Sequence, residues 1–228
     1  MSAEIRHIAT PADFAVVFDV SRETLDRLAI YEGLLRQWQK AVNLVAPSTL
    51  DAIWHRHFAD SAQVVRLAPQ ARSWVDLGSG AGFPGLVVAI LLAEAPSPCL
   101  VGEGTRPKIT LIESDSRKCA FLREVARKTG ITVDILSTRI EQAATHTSLE
   151  SPEVVSARAL APLDRLLGLS APLFTPSTVG VFLKGRDAVA EVETAAKAWT
   201  FAVEMVPSIT EATGRVVVIR DLQPKSKD

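Results

Sequence analysis

The sequence predicts an α/β protein: a mostly parallel sheet with helices on both faces. Three features predict it. From Ser73 onward, apolar runs of strand length alternate with helical patterns. One strand ends at Asp76 and runs into Gly78, Gly80, Gly82 and Gly85, a turn that feeds an apolar helix. The last two strand-like runs follow each other with only a loop between them, so they should pair antiparallel.

Strands are expected at 73–77, 108–113, 131–136, 153–157, 178–184, 200–206 and 215–221, and helices at about 84–93, 116–129, 139–145, 162–174 and 187–199. The segment 95–108, rich in Pro and Gly, is long for a link between a helix and a strand and reads as a surface insertion. Ahead of Ser73 the pattern is helical. Thr10-Pro11 reads as an N-cap followed by a proline in the first turn, opening a helix through about Phe18. Ser21 can cap the next helix. Leu25, Leu28, Leu35, Trp38 and Val42 recur at helical steps and mark 21–42 as amphipathic. Pro47-Ser48 breaks the chain, and a further helix is expected over about 50–67. The chain thus divides into an N-terminal helical extension, 1–70, packed on the core, and a Rossmann-like domain, 71–228.

Composition excludes several classes. At 228 residues and 47% hydrophobic, the chain can bury a sizeable core and is not disordered. The apolar stretch 86–93 is too short to span a bilayer, and the N-terminus lacks the apolar core of a signal peptide. The only cysteines, Cys99 and Cys119, allow no zinc spacing and no disulfide framework. A cytoplasmic protein without a metal or a membrane partner is expected. The net charge of −1 gives no global nucleic-acid signal. Locally, Arg117, Lys118, Arg123, Arg127 and Lys128 face a single acid, Glu124, and suggest a phosphate-binding helix face.

The glycine turn admits two cofactor classes. Gly80-Ala81-Gly82-Phe83-Pro84-Gly85 fits the dinucleotide fingerprint. A pyrophosphate, however, needs backbone donors at the helix start, and Pro84 has no N–H. A carboxylate at Asp76 suits a cationic ligand better. S-adenosylmethionine carries a sulfonium and an ammonium and no phosphate. The pattern Asp-x-Gly-x-Gly-x-Gly resembles motif I of the class I methyltransferases, whose sheet ends in just such an antiparallel hairpin. Glu113, closing the second strand, can accept hydrogen bonds from ribose hydroxyls.

Further motifs narrow the resemblance. In order they are Leu28-x-x-Tyr31-x-x-Leu34-Leu35-x-x-Trp38, Asn43-Leu44, Arg56-His57-Phe58-Ala59-Asp60-Ser61 and the turn from Asp76 to Gly85. Then come Leu111-Ile112-Glu113-Ser114, Lys118-Cys119-Ala120-Phe121-Leu122, Arg139-Ile140-Glu141, Ser156-Ala157-Arg158-Ala159 and Leu183-Lys184-Gly185. Over roughly residues 25–221 the chain resembles the bacterial RsmG family, once named glucose-inhibited division protein B. The resemblance implies a class I methyltransferase fold and transfer of a methyl group from S-adenosylmethionine to N7 of a guanine in 16S rRNA near the decoding site. The implied partner is 16S rRNA or the small ribosomal subunit, met by a monomer.

By that resemblance Asp76, Gly78, Gly80, Gly82, Phe83, Glu113, Ile140, Glu141 and Arg158 bind the cofactor. Arg158, Arg139 and Lys118 form the catalytic set, and Asn43, His57, Lys118, Arg139 and Lys184 meet the substrate. Gln39 stands where the family commonly has Asn and receives no role. No Asn/Asp-Pro-Pro-aromatic element follows the fourth strand, which argues against exocyclic amines as targets. Cys119 reads as packing and Cys99 falls in the wrong segment for a nucleophile, which argues against C5 of a pyrimidine. Three alternatives remain at this stage: the same fold acting on a small molecule or protein, a non-catalytic RNA-binding module that holds the cofactor, and a nicotinamide oxidoreductase.

Overall fold

The computed structural model describes residues 7–93, 107–143, 149 and 151–225. The segment expected as a surface insertion lies almost wholly outside these residues, as does Cys99. Seven strands form one sheet in the order β3-β2-β1-β4-β5-β7-β6. They are β1 (Ser73–Leu77), β2 (Lys108–Glu113), β3 (Asp134–Ser137), β4 (Val154–Arg158), β5 (Val179–Lys184), β6 (Trp199–Pro207) and β7 (Arg215–Pro224). The strands from β1 to β5 are parallel; β7 inserts antiparallel between β5 and β6. The order reverses between β1 and β4, so ligands belong at the carboxyl ends of that pair.

The N-terminal helices are α1 (Pro11–Phe18) and α2 (Arg22–Trp38). Thr10 and Asp13 complete a reciprocal capping box on α1, and Ser21 caps α2. The helix expected over 50–67 is not a regular one. It winds as a 3-10 turn (Pro47–Ala52), a π turn (Trp54–Ala59), a short α turn, α3 (Asp60–Ala62), and a second 3-10 turn (Gln63–Leu67). The sequence explains the irregularity. Trp54, His55, His57, Phe58 and Ala59 are all buried, which no single stripe at the α period achieves. The wider π turn points Trp54 at Glu32, His55 at Thr210 and His57 at Arg158.

The remaining helices are α4 (Gly85–Leu92), α5 (Ser116–Thr129), α6 (Ile140–Ala143), α7 (Leu163–Ser170) and α8 (Ala188–Ala195). Helix α5 is capped by Asp115 at its start and by Gly130, at φ 69°, at its end. Pro172, which has no N–H, tightens the end of the expected 162–174 helix into a 3-10 turn.

One buried cluster joins the extension to the sheet. Tyr31, Leu35, Trp54 and Phe58 share it with Trp74, Phe83, Leu86 and Phe121. Tyr31 is the latch. Its ring stacks on Phe83 at 5.3 Å and 18°, and its hydroxyl donates to the carbonyl of Ala81 inside the glycine turn. Burial holds its pKa well above the ordinary tyrosine value, so it stays a donor. Tyr31→Phe keeps the stack and strands the Ala81 carbonyl. It should cost about 1–3 kcal/mol in urea unfolding; an unchanged midpoint and slope would mean that the hydroxyl does not hold the turn.

Candidate active site

Asp76 lies at the centre of the site and is wholly buried. Its Oδ1 accepts from Ser156 Oγ at 2.7 Å, across the β1–β4 pair where the two residues are in register. Its Oδ2 accepts from the Gly85 N–H that opens α4. Trp74 Nε1 in turn donates to Ser156 Oγ at 2.8 Å. Burial pushes the carboxyl up to about 6, against the pull of these hydrogen bonds. The carboxylate expected to face a cationic ligand therefore points inward and fixes the turn.

The turn itself is a cradle. Gly78, Gly80 and Gly82 have φ of 61°, 56° and 93°. Added at Gly82, a Cβ would collide with Leu86 and come within 2.7 Å of the Tyr31 hydroxyl. Added at Gly80, it meets only the Gly78 carbonyl, at 3.7 Å, and otherwise points into open space. The first two N–H groups of α4 are already bonded, Gly85 to Asp76 and Leu86 to the Gly82 carbonyl, so neither is offered to a pyrophosphate. The Gly80 N–H donates to Glu113 Oε2 at 2.8 Å, while Asp115 N–H holds Oε1. Thus the turn opens toward a strand-end carboxylate, as a cationic nucleoside cofactor requires. Ile140 and Glu141 begin α6 on the same edge, after β3.

Arg158 ends β4. Its Nη1 donates to the Arg56 carbonyl at 3.0 Å and pairs with Asp60 Oδ2 at 3.3 Å. Its Nη2 meets His57 Nδ1 at 2.8 Å, and its Cζ lies 4.8 Å from the Phe83 ring centre. Ala159 follows at φ 51°, a left-handed conformation that costs a non-glycine residue about 1–2 kcal/mol. Phe83, expected to bind the cofactor, is largely enclosed by protein. Tyr31, His57 and Arg158 cover its ring, which is 5% exposed.

Several expected roles change. His57 is buried, with Nδ1 on Arg158 and Nε2 on Thr49, so both ring nitrogens already have partners within the protein. Lys184 pairs with Glu191 at 2.8 Å and donates to the Ala161 carbonyl, a structural ion pair and not a free cation. Arg139 and Lys118, expected in one catalytic set with Arg158, start from separate strands of the sheet. They follow β3 and β2, three and two strands from β4, roughly 14 and 10 Å at the usual strand spacing. Both flank the cofactor half of the sheet. Asn43 is exposed, next to Leu44 on the rim of a cleft.

That cleft, of about 780 Å³, opens between Leu44–Thr49, Arg56 to Gln63, the ends of β4 and β5 and the β6–β7 loop. Arg56, Arg158, Lys184, Arg186 and Arg215 line it against Asp60 and Glu211. Sequence reasoning missed three of its supports. Gln39 accepts from the Leu44 and Val45 N–H groups and donates to the Val45 carbonyl, fixing the rim. Asp60 bridges Arg158 to Thr210 of the β6–β7 loop. Ser156 anchors Asp76. Ser156 and Asp60 stand inside quoted motifs and were the readable signals; Gln39 left none.

A glycine cradle beside a strand-end acid, in a seven-stranded sheet with an antiparallel terminal hairpin, defines a class I S-adenosylmethionine-dependent methyltransferase. Solved structures agree on the fold. An O-methyltransferase from Bacillus cereus in complex with SAH superposes with a TM-score of 0.58 at 12% identity, covering 94% of this chain and 98% of that one. A putative O-methyltransferase from Klebsiella pneumoniae gives 0.54 at 15% identity, covering 84% and 89%. Residues 24–218 match the GidB family, described as rRNA small subunit methyltransferase G. The ribosomal RNA small subunit methyltransferase G of Parvibaculum lavamentivorans is 51% identical over 92% of this chain and 88% of its own length; that of Rhodospirillum centenum is 50% identical over 93% and 91%. The chain belongs to this family.

Two outcomes test the site. Gly80→Ala should fold with a loss of about 1–2 kcal/mol for its positive φ and lose S-adenosylmethionine binding in calorimetry. Gly82→Ala should destabilise the protein by more, because it collides with Leu86. Equal stability losses, or retained binding in Gly80→Ala, would reject the cradle.

His57 supplies the pH dependence. Burial, then Arg158 and Arg56, lower its pKa to about 3. The unfolded side chain takes a proton near 6.5 and the folded one only near 3. Stability from this group is therefore full above about 6.5 and is lost as pH falls toward 3. The stability advantage of wild type over His57→Asn in urea should shrink steadily from pH 7 to pH 4. A pH-independent difference would show that the imidazole is not held neutral.

Proposed function

We propose that this protein methylates N7 of a guanine in 16S rRNA near the decoding site, with S-adenosylmethionine as methyl donor. The observation that carries the proposal is the meeting of the glycine cradle and the basic cleft at Arg158. When bound, S-adenosylmethionine supplies an electrophilic methyl group on a sulfonium. Guanine N7 has an exposed lone pair and no proton, so no general base is needed. The protein's contribution is alignment and charge control. Asp76, Ser156 and Tyr31 hold the turn, and Glu113 offers ribose acceptors. Positive charge develops on the guanine, and a bare cation beside N7 would oppose it. Arg158 is partly neutralised by Asp60, which suits it to O6 or a phosphate.

The cleft supports RNA as the partner. Arg56, Arg158, Arg186 and Arg215 against Asp60 and Glu211 leave a local excess of two positive charges, Lys184 being paired with Glu191, in a chain whose net charge is −1. Arg186 is exposed and, among the described residues, unpaired. The α5 face is a weaker candidate. Arg127 is tied to Glu124, and the side chains from Arg117 to Lys128 spread over about 16 Å along the helix. It also flanks β2 and β3, on the far side of β1 from the cleft. N7 sits on an edge that the deep groove of duplex RNA hides, so the target guanine belongs to an irregular loop or is turned outward. The cytoplasm, where small subunits assemble, is the compartment this activity requires.

Incubation with labelled S-adenosylmethionine and 16S rRNA or small subunits lacking the modification should place label on one guanine at N7. Label elsewhere, or none, rejects the function. Arg186→Ala and Arg215→Ala should each flatten the slope of log RNA affinity against log salt by about 0.7 to 0.9, with Arg123→Ala close to wild type. The reverse ranking would move the RNA to α5.

A further inference from the structure

His57 is buried against the Phe83 ring, and both of its imidazole nitrogens are engaged. Its bonding has one direction. A guanidinium has no lone pair, so Arg158 Nη2 donates and His57 Nδ1 accepts. The ring proton then sits on Nε2 and donates to Thr49 Oγ1 at 2.8 Å. Thr49 passes its own hydroxyl proton to the Ala46 carbonyl at 2.7 Å. This chain of donors admits one tautomer and one ring orientation.

The consequence falls on Arg158. A guanidinium has five N–H groups. The Arg56 carbonyl and Asp60 take both on Nη1, and His57 takes one on Nη2. Among the described residues, the Nε–H and one Nη2 N–H have no partner. Phe83 beneath Cζ fixes the plane of the group. With the acceptor at His57 in place, the guanidinium is held at both terminal nitrogens, Nη1 by the Arg56 carbonyl and Asp60 and Nη2 by His57, and rotation about Cζ–Nη2 is hindered.

We infer that His57 is a positioning residue for methyl transfer: by accepting from Nη2 it holds the guanidinium plane of Arg158 where that group lines the cleft. The inference rests on the methyltransferase reading for its effect on rate, but its effect on Arg158 stands apart from turnover. The protonated imidazole would present a donor to Arg158 in place of an acceptor, so only the neutral ring fills this role. The groups facing it are Arg158, Arg56 and Thr49, with Asp60 beyond Arg158.

Two substitutions separate positioning from packing. His57→Asn places a carbonyl oxygen near the Nδ1 position and keeps the acceptor for Arg158. His57→Gln places its amide near Nε2, keeps Thr49 and loses Arg158. Both are polar and of similar bulk, so a packing role predicts that they behave alike. Single-turnover methyl transfer to 16S rRNA should fall roughly 30- to 100-fold in His57→Gln, the scale of an ångström-level misplacement, and only a few-fold in His57→Asn. S-adenosylmethionine and RNA affinities should stay within about threefold of wild type in both. Nitrogen-15 NMR of the Arg158 guanidinium should show Cζ–Nη2 rotation slow in wild type and His57→Asn, and at least tenfold faster in His57→Gln. Equal rates for the two variants, or unchanged guanidinium rotation, overturns the proposal. A wild-type protein that methylates no rRNA overturns the functional reading instead, and the NMR comparison still decides the role of His57.

Discussion

The buried carboxylate of Asp76 is the constraint on which the rest of the site depends. A charge in a dry interior is costly unless its oxygens are bonded. Here Ser156 Oγ and the Gly85 N–H meet them, one from the neighbouring strand β4 and one from the start of α4. One side chain thus ties together β1, β4 and the helix at the point where the strand order reverses. Leu86 and Leu111 close in over the turn, and there is no room for a side chain at Gly85, where a Cβ would come within 2.8 Å of Asp76. Gly85 is needed because the backbone must pass this close to a carboxylate, and Gly78, Gly80 and Gly82 because the turn takes positive φ.

A second layer holds the first. Tyr31, on a helix far upstream in sequence, grips the turn through Ala81 and stacks on Phe83; Phe83 in turn packs against His57 and Arg158. The N-terminal helices are therefore part of the site and not an ornament on the sheet. They also supply the irregular π-turn segment, whose wide face reaches Arg158 and the β6–β7 loop together. An ordinary α-helix would expose one of these contacts. Backbone regularity is given up where the site needs side chains on two fronts.

Charge divides the carboxyl edge of the sheet into two halves. On the β1–β3 side, Glu113 and the open turn make an acid-lined cradle. On the β4–β7 side, the cleft is basic. In the proposed function a cationic cofactor lies on the acidic side of Arg158 and the nucleic acid on the basic side, the arrangement these charges favour. Asp60 and His57 keep that arginine from acting as an unshielded charge at the boundary.

The sequence by itself determined the alternation of strands and helices, the boundaries of β1, β2 and α5, the terminal hairpin, the cofactor class and the family. These are local signals: periodicity, caps and a glycine turn act between residues a few positions apart. Only the tertiary structure decided what the charged residues do. Lys184 read as a cation for RNA and is paired to Glu191; His57 read as an RNA contact and bonds Arg158; the α5 cluster read as one face and is spread along a helix on the far side of β1 from the cleft. Gln39, without a motif to mark it, holds the cleft rim. The bonds from Arg158 to His57 and from His55 to the β6–β7 loop span 101 and 155 residues. Nothing in a local pattern encodes such a partner, because a long flexible side chain has the same propensity whether water or a buried acceptor meets its end.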